Sequence, residues 1–484
     1  MSCFGVLAAG PQALAASNDL PDIGSEAQAT LSLDDEYRIG RMIVRGLQDS
    51  DRILQDPEVT EYLQGLGHRL SGQTTDGNGR FEFFVVKDSG INAFALPGGF
   101  IGVNTGLLLA TKDEAELAGV LAHEISHVTQ RHIARSLAAQ SKSSLVSTAA
   151  MLAAILIGAA VGGGGDAAMA GIAAAQTVAL QQQTSFTRDN EAEADRVGIG
   201  LLARAGFDPN GMPDFFETIG RRYGAGEDRI PEILRTHPVT SERIAESRSR
   251  AAQLDVTPSP DSASYALTRE RIRVLTTPVG QDPHQYYASI MQNEADVSNA
   301  DRYGNALSLL VSNHAAEAIP LLQKMRDSHQ TVVQYHIALG QAQLEAGQGQ
   351  KAVATLARAR ELFPRNIPVT IRYAEALLRT GDARRAHEVL LDLFNNVAPT
   401  PEQARFIAMA ANSAGDAADA YSYMAEYHVM GGDFPLAINQ LQLALSVPKI
   451  TEVQRQRFKA RLEELQRAMP RRNPTRQASS DRLR

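Results

Sequence analysis

The sequence predicts an α+β chain, with a mostly helical first part that carries a small β-sheet and an all-α solenoid after it. Three observations carry this prediction. Apolar residues recur at helical spacing over Leu33–Leu70 and Asp113–Ala138. Short aromatic and β-branched runs lie between them, at Phe81–Val86, Ile91–Leu96 and Phe100–Val103. Beyond about residue 300, small residues return with a fixed period. At 44% hydrophobic and 21% charged over 484 residues, the chain has ample apolar material for real cores. Its 55 acidic and 47 basic residues, a net charge of -8, give no electrostatic case for nucleic-acid binding. Cys3 is the lone cysteine, which excludes an internal disulfide and any Cys-based metal site. A metal must therefore sit on His, Asp or Glu.

Residues 1–17 read as the end of a secretory leader. An apolar run enters Ala13-Leu14-Ala15, a small-x-small cleavage pattern, although no basic residue precedes it. A first unit over 18–260 follows. Its opening helices break near Asp56-Pro57, and Phe81–Val86 is a strand. Ile91–Leu96 and Phe100–Val103 form a hairpin around Pro97-Gly98-Gly99, whose glycines serve a turn and not a dinucleotide. Asp113–Ala138 is expected as one continuous helix. Residues 261–300 are expected as a linker. From 301 to 468, Gly347, Gly381 and Gly415 stand 34 residues apart, and Asn313 holds the same phase one step earlier. Ala306, Gly340, Ala374 and Ala408 precede them by seven residues, and Ala318, Ala352, Ala386 and Ala420 follow by five. Small residues at these phases let two antiparallel helices approach closely, and a 34-residue period is that of the tetratricopeptide repeat. A fifth copy (Ala425, Gly432, Ala437) arrives early, 17 residues on. The basic stretch 469–484 reads as a disordered tail.

Chemistry concentrates at His123-Glu124-Ile125-Ser126-His127. Histidines at i and i+4 share one helix face, so both imidazoles reach one ion, and Glu124 is placed to take a proton from the attacking water. Catalytic zinc usually has three protein ligands. His132 lies nine residues after His123 with no intervening glycine to turn the chain, so it misses the metzincin spacing. Glu191 and Asp195, four apart on an expected helix, supply a better third ligand. One can ligate while the other hydrogen-bonds a ligating histidine, and Glu193 is expected on a solvent-exposed face.

His237, between Arg235-Thr236 and Pro238, is expected on a rigid turn with three readings open. It can stabilise an oxyanion, occupy a fourth metal position and hold the site latent, or serve as a structural turn residue. Arg243 is expected to tie this segment down through a carboxylate. Residues 143–165 carry no charge, long enough for a membrane span. His127 and Glu191 flank the stretch and must meet, and the return over 167–180 is short. Residues 143–187 are therefore expected as a helical hairpin reversing at Gly162–Gly165, covering the cleft or making a peripheral membrane contact. The Ile91–Leu96 strand is either an ordinary interior strand or a platform for extended peptide.

HEISHVTQRH at His123–His132 and EAEADRVG at Glu191–Gly198 resemble the gluzincin metallopeptidases related to HtpX and the CAAX prenyl proteases. With Asn92-Ala93-Phe94-Ala95, His237-Pro238 with Arg243-Ile244, and the repeats, the chain resembles the periplasmic branch of that family. The resemblance implies a zincin fold and one Zn2+ held by His123, His127 and Glu191, with Glu124 as general base and Asp195 orienting a ligand. It favours the latent fourth-ligand reading of His237. It also implies a periplasmic endopeptidase that degrades misfolded or stalled outer-membrane proteins and meets the β-barrel assembly machinery through its repeats. The alternative is mainly a repeat chaperone or adaptor with latent peptidase activity. Intramembrane prenyl-protein processing lacks the necessary spans.

Overall fold

The structure, a computed structural model, describes residues 31–74, 80–139, 188–223, 231–292 and 297–468. The leader at 1–17, the hairpin at 143–187 and the tail at 469–484 lie outside the described residues. Among the described residues no helix is long and apolar enough to cross a membrane.

Helix α1 (Leu33–Asp49) precedes α2 (Pro57–Ser71), with the expected break at Asp56. Asp56 ends the break by capping: its carboxylate accepts the Glu58 and Val59 N–H groups at 3.2 and 3.1 Å, and Pro57 needs no acceptor. Strands β1 (Glu82–Val86), β2 (Ala93–Leu96) and β3 (Phe100–Asn104) form one sheet in the order β1-β3-β2. β2 and β3 are the expected antiparallel hairpin, and β1 runs parallel to β3 in the register Phe83↔Ile101. Residues 52–54 partly cover the outer edge of β1, where Leu54 N–H donates to Val85 O at 2.8 Å.

A short α3 (Thr105–Ala110) leads to α4 (Glu114–Thr129). The single helix expected over 113–138 is in fact two, because the chain turns at Gln130-Arg131 and restarts as α5 (His132–Ala139). Arg131 sits in the left-handed region at φ 53, a conformation costing an L-residue about 1–2 kcal/mol. Long-range bonds offset that cost: Arg131 Nη2 donates to Leu31 O at 2.7 Å and Nε to Glu36 Oε1 at 3.1 Å. No glycine or proline announces this turn, so helical periodicity reads through it.

Helices α6 (Arg188–Arg204), α7 (Gly211–Tyr223), α8 (Glu232–Thr236) and α9 (Ser241–Ala251) complete the first unit. α6 lies unusually close to α4, since a Cβ on Gly198 would stand 3.2 Å from the Ala122 backbone. This contact brings 191 and 195 up to 123 and 127.

The linker expected over 261–300 is instead largely helical, as α10 (Ala263–Leu275) and α11 (Pro283–Met291). α10 belongs to both units. Tyr265 and Ile272 join the core of the first, while Leu267 and Val274 join the core of the repeats. Its start is tied to α4 through Glu114, which accepts from the Ser262 N–H and hydroxyl and from the Tyr62 hydroxyl. Apolar positions shared between two cores show no single amphipathic stripe, which hid the helix.

The solenoid pairs α12 (Asn299–Val311) with α13 (Ala315–Ser328), α14 (Val333–Glu345) with α15 (Gly349–Leu362), α16 (Ile367–Arg379) with α17 (Ala383–Phe394), and α18 (Pro401–Ser413) with α19 (Ala417–Met430), before α20 (Phe434–Ser446) and α21 (Glu452–Ala468). Asn313, Gly347, Gly381, Gly415 and Gly432 all carry positive φ, from 66° to 91°. A Cβ at Gly347, Gly381 or Gly415 would meet nothing within 4 Å, so glycine is used there for backbone conformation and not for space. Asn, the other residue tolerant of this region, serves at 313. The early fifth copy also has a structural reason. α19 closes one pair and packs against α20 to open the next, so the phase advances by one helix.

The solenoid returns to the first unit. Arg41 on α1 donates to Val429 O at 3.3 Å, and Arg45 lies 4.9 Å from the Tyr427 ring centroid. A cavity of about 180 Å³ between the units is lined by Ile53, Phe84, Ile371 and Phe406, with Glu82 and Glu402 facing it from opposite sides. Burial, reinforced by the Glu402 charge, pushes the Glu82 carboxyl up to about 7. A carboxyl raised this way stabilises the fold below its unfolded value near 4.5, and that stability is lost as pH rises through about 7. Glu82→Gln is therefore expected to raise the melting temperature at pH 8, by at most about 3 kcal/mol of stability, and to change it little at pH 5. Equal shifts at both pH values would contradict the buried-charge account.

Candidate metal centre

His123 and His127 project from one face of α4 into a fully buried site, with their Nε2 atoms 3.0 Å apart. Glu191 approaches from α6: Oε2 lies 3.5 Å from His123 Nε2 and Oε1 lies 3.5 Å from His127 Nε2. His237 follows the last turn of α8, where its backbone N–H donates to Ile233 O at 2.9 Å. Its Nδ1 is 2.9 Å from Glu191 Oε1 and 3.3 Å from His123 Nε2. One donor atom from each of these four residues falls within 4.8 Å of the others.

This donor set fits a metal. Imidazole nitrogens converging at 3.0 Å repel unless a proton or a cation lies between their lone pairs, and a carboxylate completes the set. Burial opposes charge on His123, but Asp195 and Glu191 outweigh it and push the ring up to about 10. Burial and the neighbouring His123 and His237 push His127 well down. Glu191 is held far below the carboxylate range, because the histidines around it overcome its burial.

Glu124 is buried beside the cluster, and neither carboxylate oxygen has a hydrogen-bond partner among the described residues. The His237 ring approaches it, with Nε2 3.6 Å from Oε1. Asp195 stands behind His123, its Oδ1 2.9 Å from Nδ1. Arg243 clamps the arrangement by donating to both Asp195 oxygens at 2.9 Å and to Pro238 O at 2.7 Å, with Nη1 also 2.9 Å from Glu191 Oε2. It thus ties the His237 segment to α6 through carboxylates.

β2 is an outer strand of the sheet and packs along α4. The Ile233 N–H donates to Ile91 O at 3.4 Å, which tethers the His237 turn to the approach to β2.

Sequence reasoning set His132 aside as a ligand, and it stays outside the four-residue donor set, but it is part of the site's surroundings; Glu193, expected in solvent, is partly covered. His132 is fully buried, with Nδ1 2.8 Å from His127 Nδ1 and Nε2 3.2 Å from Glu193 Oε2. Glu193 is half-buried and accepts from Arg135 Nη1 at 2.9 Å. The left-handed turn at Arg131 does what a glycine would do, and no spacing rule signals it. In the solenoid, His387, Asp416 and Asp419 also gather. There Asp416 caps α19 by accepting the Asp419 N–H, and Arg457 already pairs with the Asp419 carboxylate.

The Peptidase family M48 model matches residues 56–251, and a tetratricopeptide-repeat model matches 343–410. The Beta-barrel assembly-enhancing protease of Escherichia coli K12 is 32% identical over 462 residues, 95% of this chain and 93% of that one. The chain belongs to peptidase family M48. This M48 chain is a metalloendopeptidase with C-terminal repeats. A Vibrio cholerae relative is 38% identical over 309 residues, 63% of either chain, so the match spans just under two thirds of that protein. Similarity to the Mitochondrial metalloendopeptidase OMA1 of Arabidopsis thaliana is 34% over 185 residues, 38% of this chain and 32% of that one.

Proposed function

We propose that this M48 chain is a zinc endopeptidase whose repeats select or restrain polypeptide clients. The observation that carries it is the buried convergence of His123, His127 and Glu191 next to Glu124, whose carboxylate makes no hydrogen bond among the described residues. Two imidazoles and one carboxylate are a common catalytic zinc set. Zinc there supplies Lewis-acid polarisation of a scissile carbonyl and lowers the pKa of water. Glu124, without a hydrogen bond among the described residues, accepts the proton from the attacking water and passes it to the leaving amine. Asp195 holds His123 by accepting its Nδ1–H, which leaves Nε2 for the metal. The outer edge of β2 binds peptide in extended form through main-chain hydrogen bonds, a sequence-tolerant grip suited to unfolded chains.

His237 serves as a fourth ligand and keeps the site latent. Its support is the 3.3 and 2.9 Å approach to His123 and Glu191, which puts its nitrogen within the donor set. A latent peptidase also fits a protein that works partly as a repeat chaperone. The printed name of the E. coli relative supports a partnership with β-barrel assembly; outer-membrane clients and a periplasmic location belong to the same proposal.

Metal analysis and casein hydrolysis test this reading. The chain is expected to carry one zinc, and a chelator should abolish hydrolysis until zinc is restored. His237→Ala should raise the hydrolysis rate; a site closed in nine molecules of ten gains about tenfold when released. A fall in rate would favour the oxyanion role, and an unchanged rate with a lower melting temperature would favour a structural one.

A further inference from the structure

We infer that His132 is a positioning residue that fixes His127 as a metal ligand, acting through a two-step relay that ends on Glu193. The inference rests on the reading of His127 as a ligand. A metal can take Nε2 of His127 only if that nitrogen carries a lone pair, so the ring proton must sit on Nδ1. His127 Nδ1 faces His132 Nδ1 at 2.8 Å, so His127 donates and His132 accepts. A neutral His132 accepting at Nδ1 carries its proton on Nε2, which lies 3.2 Å from Glu193 Oε2. One proton arrangement therefore satisfies both contacts and leaves His127 Nε2 turned to the metal. The reverse arrangement, with His132 donating from Nδ1, puts the His127 proton on Nε2, against His123 Nε2 at 3.0 Å.

The backbone supports the same assignment. Arg131 keeps its left-handed φ of 53°, and the reversal it makes returns His132 to the imidazole five residues back. A strained residue held by Leu31 O and Glu36 at this point places a second imidazole, and a straight continuation of α4 would not. The two ligand histidines then differ in their support. His123 has the carboxylate of Asp195 directly beside its Nδ1, at 2.9 Å, whereas His127 faces a ring backed by a carboxylate that is shared with Arg135. His127 is the more weakly supported ligand, and its hold on the metal depends on a half-buried ion pair at the protein surface.

The test uses the full chain and zinc affinity measured by competition with a chelator, beside the melting temperature of the metal-free protein. His132→Leu fills the space without an acceptor and should weaken zinc binding about 10–100-fold, while the metal-free melting temperature stays near that of the parent. His132→Asn keeps an acceptor oxygen near the Nδ1 position and should recover most of the affinity. Glu193→Gln, near the surface, should weaken binding less than His132→Leu and leave metal-free stability unchanged. Unchanged affinity in His132→Leu overturns the inference. So does equal impairment of the Leu and Asn variants together with a lower metal-free melting temperature, which marks a packing role. If His132→Leu does not fold, wild-type affinity in Glu193→Gln overturns it. His127→Ala separates this inference from the reading beneath it. Full zinc affinity in that variant removes His127 as a ligand, whereas loss there with no loss in His132→Leu removes only the relay.

Discussion

Glu124→Gln is expected to lose about 10²–10⁴-fold in kcat/KM on a casein or unfolded-protein substrate, while keeping its metal and its melting temperature. The substitution is nearly isosteric and removes only basicity. Glu124 is buried, and its oxygens make no hydrogen bond among the described residues, so the change breaks no hydrogen bond there and alters only the 3.6 Å approach of His237 Nε2. The carboxylate is therefore free for a proton that arrives with the reaction. His123 and His127 are on either side of it in sequence, but α4 turns them to the shared point with Glu191, and metal content should not change. Hydrolysis equal to that of the parent at full metal occupancy would remove Glu124 from the chemistry. Loss of metal along with activity would make it a ligand or a support instead.

The second large effect concerns stability and lies between the two units. Arg271 on α10 is buried against Asp56 and Glu58 at the start of α2, with Nε and Nη2 2.8 and 2.7 Å from the Asp56 oxygens and Nη1 2.8 Å from Glu58 Oε2. Arg372 on α16 reaches the same carboxylates at 3.0 and 3.3 Å. Three elements distant in sequence thus meet in one buried network. Arg271→Ala leaves two buried carboxylates with one guanidinium, and breaking a buried pair from one side costs about 3–5 kcal/mol. Urea denaturation should show this as a lower midpoint.

The pH dependence has a definite sign. Burial alone would raise the Asp56 carboxyl, but Arg271 and then Arg372 overcome it and hold the group at about 2, against an ordinary 3.8. A depressed carboxyl stabilises the fold above its unfolded value, and that stability, about 2 kcal/mol here, disappears as pH falls from about 4 through 2. The parent should lose this increment on acidification, and Arg271→Ala should show a shallower decline over the same window. A variant as stable as the parent, with the same acid profile, would mean the network contributes nothing.

Much of the fold could be read locally. The break at Asp56-Pro57 has a cap and a proline in adjacent positions, and the β2–β3 hairpin has Pro97-Gly98-Gly99 between two apolar runs. The repeats declare themselves because each tight turn needs a left-handed residue and each close helix contact needs a small one. These demands recur every 34 residues whatever surrounds them. The turn at Arg131 could not be read this way, since its strain is held by Leu31 and Glu36, about a hundred positions away. Nor could α10, whose apolar residues are divided between two cores.

The site divides along the same line. Sequence alone determined that His123 and His127 share a helix face, that Glu191 and Asp195 share another, and that the second half of the chain is a repeat. Each follows from a periodicity confined to one element. Only the tertiary structure decided that Gly198 lets α6 approach α4 closely enough to join those faces, that His237 meets Glu191, and that His132 turns back onto His127. These are contacts between elements, and their distances depend on how backbones pack and on strain held by remote bonds, which no local pattern records.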